Sequence, residues 1–268
     1  MSELIDAARV PVFLLDQHQV VRPGEMGTKE EIQRAAAAEG LDCTVVDLDG
    51  QFRCGGSEAY EKWVIDLLGL DGGTPHRWEP DGKFKLLTAE TPQELEDFLT
   101  ARRDEGYGAR MSAGYCWKWT TKITPTMTAL PADVVIGNWA RPWNVYGDRS
   151  VLGAPPAPLW ATDPAGFTQV GCVYTAQGFE YDWSGVIIGP DLVWRTDHWV
   201  VVRSASKDPS FTKATSDEGI DRLIRNTYKV LLTRGMVGTI VYSTDPETRE
   251  KLRSLIQPAS GVKAMAPA

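Results

Sequence analysis

The chain has 268 residues, of which 43% are hydrophobic, and a formal net charge of −8 at pH 7. A chain of this length and composition can bury a large core, which excludes a disordered tail. The acidic balance disfavours a surface that is basic overall, although a local basic groove for nucleic acid stays open.

The cysteines and histidines exclude two further classes. The four cysteines form no C-x-x-C pair and the three histidines have no metal-ligand spacing, so we expect neither a metal site nor structural disulfides. We also expect a cytoplasmic protein without membrane contact, because no stretch approaches the roughly 18 apolar residues of a membrane span and the first residues lack a secretion signal.

Strand and helix patterns alternate along the first part of the chain. Thr28 and Glu31 form a capping box that starts a helix ending near residue 39. Thr91 followed by Pro92 starts another helix. The predicted helices cover 2–8, 28–39, 57–68 and 92–105, and the predicted strands cover 9–15, 43–48, 84–87 and 109–114.

A segment rich in tryptophan, proline and glycine follows, and we interpret it as an irregular insertion over about 115–165. Its tryptophans allow two interpretations. They are able to stack nucleobases, but packing of a loop-rich segment by large aromatic rings is the commoner role. The tryptophans are Trp117, Trp119, Trp139, Trp143 and Trp160.

Alternation resumes after the insertion. The predicted strands cover 170–174, 184–188 and 238–243, with a short extended piece over 192–194, and the predicted helices cover 217–233 and 246–255. Alternating strands and helices indicate an α/β fold in which a parallel sheet lies between two layers of helices. The small residues of the tail, 258–268, predict a flexible end.

The stretch VGCVYTAQGFEYD, residues 170–182, combines an apolar run with a polar turn. We expect Gln177 and Glu180 at the carboxyl end of the 170–174 strand, where open α/β sheets bind ligands. Gly178 allows either a positive φ or a close approach of the backbone to a ligand. The alternative is an ordinary strand followed by a polar loop.

Four segments, taken in order, resemble the later motifs of superfamily-one DNA/RNA helicases. The chain as a whole resembles the later part of the Schlafen-like helicase domain family. This resemblance implies the RecA-like second lobe of a P-loop NTPase, carrying the tryptophan-rich insertion. The segments are FLLDQHQ (13–19), QFR (51–53), YTAQGFEYD (174–182) and YKVLLTRG (228–235), with GYCW (114–117) and GPDLVW (189–194) as further matches.

The resemblance assigns roles to individual residues. It implies that Arg53 and Arg234 face the γ-phosphate of ATP, where cationic groups stabilise the transition state of hydrolysis. Gln19 matches the glutamine that senses this phosphate, and Asp16 lies beside it. The remaining implied roles are contact with the nucleotide for Gly178 and Glu180, and coupling to the nucleic-acid strand for Thr175 and Gln177.

Each of these residues also has a purely structural interpretation. Arg234 is placed to cap the carbonyl groups at the end of the preceding predicted helix, and Asp16 is placed to cap a turn. Arg53 alone is most often a surface side chain.

The chain departs from the helicase pattern in one respect. It contains no G-x-x-x-x-G-K-[ST] motif, and its Gly55-Gly56 and Gly72-Gly73 pairs lack the Lys and Ser/Thr that hold phosphates and magnesium. We therefore expect 1–27 to be a remnant of the first lobe and 28–257 to be the second lobe. ATP and Mg²⁺ would bind only if a partner half supplied a P-loop, and the chain alone would be an inactive ATPase.

Two other hypotheses remain. The chain could be a non-catalytic module, derived from a helicase lobe, that binds DNA, RNA or a protein. It could also keep the fold without any activity. The first predicts nucleotide-independent binding of single strands that weakens when Trp117, Trp119 or Trp143 is replaced.

Overall fold

A computed structural model describes residues 2–25, 28–46, 53–124 and 126–257. Its centre is a five-stranded sheet in which every neighbouring pair of strands is parallel. The strands are Lys85–Thr88 (β1), Ala109–Ala113 (β2), Val170–Gly171 (β5), Tyr181–Ile188 (β6) and Gly235–Ser243 (β9), in the spatial order β1-β9-β6-β2-β5. Two short hairpins lie outside this sheet. They consist of Val134–Ile136 (β3) with Trp139–Arg141 (β4), and Leu192–Arg195 (β7) with His198–Val201 (β8).

Helices cover both faces of the sheet, so the predicted α/β class with a three-layer parallel sheet is confirmed. The helices are Ser2–Asp6 (α1), Lys29–Ala38 (α2), Glu58–Leu67 (α3), Pro92–Asp104 (α4), Val173–Ala176 (α5), Asp217–Leu232 (α6) and Pro246–Ile256 (α7). One apolar core contains residues of α3, α6 and α7, and a second core, on the other face, contains residues of α4. This arrangement is that of a RecA-like α/β fold.

Local sequence explains how closely these layers approach. Gly185 lies in β6 beneath α4, and a Cβ added there would come within 2.5 Å of Leu99 Cδ1 and 2.8 Å of Leu95 Cδ2. Glycine therefore lets α4 sit directly on the sheet. The capping box of Thr28 and Glu31 and the cap of Thr91 both form as predicted.

The prediction of a strand over 9–15 is wrong. The segment is irregular, and the side chains of Val10, Val12 and Leu14 are 77%, 76% and 88% exposed. An apolar run of β-forming residues becomes a strand only when another strand pairs with it, and no described strand does so. Residues 43–46 are irregular as well, while the rest of the predicted strand over 43–48 and the tail over 258–268 lie outside the described residues.

The prediction of a strand over 170–174 is wrong beyond its first two residues. Strand β5 ends at Gly171, and Val173–Ala176 forms the single helical turn α5. The amide of Cys172 is held by the buried side chain of Asn144, whose oxygen accepts its N–H at 3.2 Å, and this contact diverts the chain from the sheet. Strand β8 was not predicted; it pairs with β7 through a tight turn that places Thr196 at a φ of 54°.

The insertion after β2 is largely irregular, as predicted. Its end is fixed to the sheet by Arg110 of β2, whose guanidinium donates to the carbonyls of Trp160 at 2.8 Å and Asp163 at 2.7 Å. Burial lowers the pKa of Arg110. Among the described residues, no helix has both the length and the apolar composition needed to cross a bilayer.

Candidate functional site

Most of the predicted site residues meet at the end of the sheet where β6 and β9 begin. Glu180 immediately precedes β6 and Arg234 immediately precedes β9, and the N–H of Tyr181 donates to the carbonyl of Arg234 at 3.2 Å. Arg53 and the segment 16–19 reach the same place from distant parts of the chain. The expectation that Gln177 and Glu180 lie at a carboxyl end of the sheet is therefore wrong, because the chain turns back through α5 before β6 starts.

Arg53 is presented by a left-handed turn. Cys54, Gly55 and Gly56 have φ values of 54°, 62° and 73°, a conformation that glycine adopts without strain. A Cβ on Gly55 would lie 2.9 Å from the carbonyl oxygen of Met236 in β9. The glycine pair thus brings the turn against β9. Gln51 and Phe52 of the same motif lie outside the described residues.

Arg53 lies between two carboxylates. Its Nε donates to Glu180 Oε1 at 3.0 Å, and its Nη1 lies 3.8 Å from Asp16 Oδ2. The three side chains are each about one-third exposed, so solvent screens these ion pairs. An incoming anion can therefore compete with the carboxylates for the guanidinium.

Arg234 is a buried counterpart of Arg53, with only 1% of its surface exposed. Its Nε donates to the carbonyl of Val230 at 2.9 Å, which is the helix-capping contact anticipated above, and its Nη1 lies 3.5 Å from the carbonyl oxygen of Phe179. Its Nη2 has no hydrogen-bond partner among the described residues. Burial, followed by the like charge of Arg53, lowers the pKa of Arg234.

Asp16 and Gln19 are fixed to each other and to α6. Gln19 Nε2 donates to Asp16 Oδ2 at 2.8 Å, and the same oxygen lies 3.5 Å from the ammonium of Lys229. Burial acts to raise the pKa of Asp16, but Lys229 and the hydrogen bonds from His18 and Gln19 outweigh it, and the net pKa is lowered. Asp16 is ionised at neutral pH and serves as an anchor.

Gln177 completes this connection, since its Nε2 donates to the carbonyl of Gln19 at 2.9 Å. Gly178 follows with a φ of 97°, and an added Cβ would meet no described atom within 4 Å. Glycine is thus required here by backbone conformation and not by close packing.

Thr175 lies apart from the cluster and is buried. Its Oγ1 accepts a hydrogen bond from Asn144 Nδ2 at 2.9 Å, so its direct contact is with the insertion. The site residues that sequence reasoning did not assign are Lys229, Glu61, Asn144 and Asn226. Lys229 lies within the YKVLLTRG segment quoted above. A charged residue on the apolar face of a predicted helix could have identified it as a buried, paired charge.

Lys229 carries the most deeply buried ammonium group of this region, with 1% of the residue exposed. It lies 3.3 Å from Glu61 Oε1 of α3 as well as 3.5 Å from Asp16. Asn226, one turn earlier on α6, donates to the carbonyl of Val20 at 2.8 Å. Together these two residues hold the segment 16–20 against the sheet's amino end.

The chemistry of the cluster is that of an anion site. It combines two guanidinium groups and one ammonium group, and carboxylates of the described residues pair with Arg53 and Lys229 but not with Arg234. Arginine forks match phosphate oxygens and bind them through two parallel hydrogen bonds. The described residues contain no grouping of three His, Cys, Asp or Glu side chains that could hold a metal ion.

Comparison with known proteins places this chain in a family. Residues 1–245 match the family described as "Schlafen group 3, DNA/RNA helicase domain". The chain belongs to this helicase domain family. The match indicates a helicase-related function and covers each of the segments from which the cluster is built.

A curated relative adds a shorter similarity. The chain is 33% identical over 117 residues to the uncharacterized protein YPL245W of Saccharomyces cerevisiae, an alignment that covers 41% of this chain and 24% of the relative. The chain thus spans about a quarter of that protein's length. No solved structure matches the chain.

Proposed function

We propose that this chain acts as a RecA-like lobe of a Schlafen group 3 helicase or nucleic-acid-dependent ATPase, and that Arg53 and Arg234 contact the γ-phosphate of ATP. The observation that carries the proposal is the buried guanidinium of Arg234, whose Nη2 lacks a partner among the described residues, next to a second arginine. A buried donor without a partner is costly, and a phosphate oxygen would satisfy it.

The remaining roles follow from the same geometry. Gln19, held by Asp16 and Gln177, is the proposed sensor of the phosphate, and Glu180 and Gly178 are the proposed contacts to the nucleotide. Because the chain contains no G-x-x-x-x-G-K-[ST] motif, we propose that a P-loop-containing partner half supplies the cradle for ATP and Mg²⁺. The free thiols of all four cysteines accord with a cytoplasmic location.

Titration calorimetry with inorganic tripolyphosphate tests the anion site on the purified 268-residue chain. Arg53→Gln is expected to weaken binding by about tenfold or more, because a hydrogen bond to a charged group contributes roughly 1.5–3 kcal/mol. Arg234→Lys, which keeps the charge but removes the fork, should weaken it as well. The matched control is Arg103→Gln, since Arg103 lies on α4 and pairs with its neighbour Asp104.

Equal affinities for Arg53→Gln and Arg103→Gln would contradict the proposed role of the cluster. The need for a partner half is tested separately by an ATPase assay on the purified chain, for which we expect no turnover above background. Turnover that is abolished by Arg234→Ala would overturn the proposed dependence on a partner.

A further inference from the structure

The insertion carries an aromatic surface whose outermost ring faces solvent. Trp143 is buried at the base, with its ring 5.7 Å from that of Trp119, which is half-buried. Tyr146 contacts Trp119 edge to face at 5.5 Å, and 70% of Tyr146 is exposed. Trp143 is buried and fills the packing role that the sequence left open for it, while Trp119 and Tyr146 form the accessible edge.

Basic residues lie close to these two rings in the sequence. Lys118 directly precedes Trp119, Lys122 lies three positions after it, Arg149 lies three positions after Tyr146, and all three are exposed. None of them forms an ion pair with another described residue. Among the nearby acids, Asp133 already accepts hydrogen bonds from the N–H and hydroxyl of Thr120, at 2.7 and 3.0 Å.

The charge of this region contrasts with that of the whole chain. Residues 115–149 contain four basic and two acidic side chains, whereas the chain carries a net charge of −8. A shallow crevice of about 30 Å³ lies against the same rings, lined by Trp119, Ile123, Leu130 and Tyr146 among others. Exposed rings between lysines and arginines suit the stacked bases and charged backbone of a single strand.

A second groove among the described residues has the opposite character. It lies between the short helical turn Arg203–Ala205 and the start of α6, and its lining includes Asp208, Asp217, Glu218 and Asp221. Carboxylates at this density repel a phosphate backbone. The aromatic edge is therefore the surface that charge favours.

A buried residue connects the aromatic edge to the arginine cluster. Asn144 is fully buried next to Trp143 and Val145 in the chain, and its side chain contacts Cys172 N and Thr175 Oγ1. Thr175 belongs to α5, which leads directly to Gln177 and its contact with Gln19. Packed hydrogen-bonded chains of this kind carry energetic coupling when the two sites share a movable element.

We propose that the edge formed by Lys118, Trp119, Lys122, Tyr146 and Arg149 binds a single-stranded polynucleotide, and that Asn144 transmits its occupancy to the arginine cluster through Thr175. The second clause rests on the function proposed above. Tyr146 and Trp119 stack bases, the three basic side chains contact backbone phosphates, and Asn144 is a positioning residue.

Fluorescence anisotropy with labelled single strands tests the surface on the purified chain without nucleotide. Tyr146→Ala is expected to weaken binding by at least about fivefold, because the stacking of a base on an aromatic ring contributes roughly 1–3 kcal/mol. Tyr107→Ala is the matched control, since Tyr107 is 41% exposed. Tyr107 precedes β2, whereas the insertion follows β2. Oligothymidylate and oligouridylate probes of equal length distinguish DNA from RNA as the source of the strand.

The salt dependence of binding reports the phosphate contacts. The double variant Lys118→Gln/Lys122→Gln should reduce the slope of log affinity against log salt by about 1.4, since each phosphate contact to a single strand contributes about 0.7. Lys213→Gln, at an exposed position outside the proposed surface, should leave the slope unchanged. Equal effects of Tyr146→Ala and Tyr107→Ala on strand affinity would contradict the proposed binding surface.

The coupling is measured as the ratio of tripolyphosphate affinities with and without a saturating oligothymidylate. We expect a ratio that differs from one by at least about fivefold, a common size for allosteric coupling. Thr175→Val should bring the ratio to one, and Thr175→Ser, which keeps the hydroxyl, should restore it. A ratio that is the same in Thr175→Val and the unmodified chain would overturn the link through Asn144.

The two proposals fail in distinguishable ways. A chain that binds no tripolyphosphate contradicts the proposed phosphate role and removes the link with it, while the anisotropy measurement still decides the surface. If the chain binds tripolyphosphate but Tyr146→Ala does not change its affinity for single strands, the proposed function stands and the proposed strand-binding surface is wrong.

Discussion

The two ends of the central sheet place ionisable groups in opposite environments. At the amino end, Arg53 and its carboxylate partners are about one-third exposed and come from separate segments of the chain. At the carboxyl end, Asp191 and Tyr228 are sealed in the core, where the Tyr228 hydroxyl donates to Asp191 Oδ1 and accepts the N–H of Gly189 at 2.8 Å. One end can exchange partners with a ligand, and the other cannot.

The pKa directions express the same difference. Burial raises the pKa of Asp191 even though Tyr228 hydrogen-bonds to it. At the amino end the balance is reversed, because Lys229 and neighbouring donors lower the pKa of Asp16 against the effect of its partial burial. A general preference for ligands at the carboxyl ends of parallel strands therefore does not locate the charged, accessible cluster of this chain.

The largest effect is expected at the sealed end. Tyr228→Phe removes the hydroxyl that donates to the carboxylate of Asp191 and accepts the N–H of Gly189. Loss of a partner by a buried polar group costs about 1–3 kcal/mol of unfolding free energy. Equilibrium unfolding in urea measures this cost, and tripolyphosphate binding should stay unchanged.

The control for this substitution is Tyr107→Phe, because Tyr107 is exposed and its hydroxyl forms no hydrogen bond with another described residue. Surface substitutions of this kind change the unfolding free energy by less than about 0.5 kcal/mol. If Tyr228→Phe were as mild as the control, the carboxyl end would not be the rigid counterpart described above.

A smaller effect on stability is expected at the open end. Glu180→Gln removes the carboxylate that holds Arg53 Nε, and an exposed ion pair of this kind contributes less than about 1 kcal/mol. The same substitution should raise the affinity for tripolyphosphate by about two- to fivefold, a change of less than 1 kcal/mol, because Glu180 competes with the anion for the guanidinium.

Glu90→Gln is the matched control for Glu180→Gln. Glu90 forms an exposed pair with Arg253 at 3.1 Å, far from the cluster, so its loss should not alter tripolyphosphate binding. A lower affinity in Glu180→Gln would show that the carboxylate assists the anion site, and the proposed competition would be wrong.

The sequence was sufficient for most of the fold because local signals and tertiary structure agree there. The N-cap at Thr91 with Pro92 predicts α4 almost to its observed end, and the apolar spacing of α6 predicts that helix in the same way. The failure at 9–15 has the opposite cause. The run RVPVFLL has strand composition, but a strand needs a neighbouring strand, and the neighbour is not encoded in the run itself.

The candidate site was predictable in its residues but not in its place. Motif resemblance named Arg53, Glu180 and Arg234, and the structure brings all three together. The single turn of α5 could not be foreseen, because the hydrogen bond that diverts the chain at Cys172 comes from Asn144, 28 residues earlier. Lys229 was overlooked because its role depends on carboxylates from two other segments.

The subtlest consequence of the contrast concerns Asp16, whose charge anchors 16–20 at the open end. A lowered folded pKa means that this anchoring is complete above the unfolded value of about 3.9 and is lost as pH falls through the folded pKa. Hydrogen exchange of 16–20, corrected for intrinsic rates and compared with Asp16→Asn, should show extra protection in the unmodified chain at neutral pH. A difference in protection that persisted after Asp16 was protonated would have to come from packing, and the anchoring would not be electrostatic.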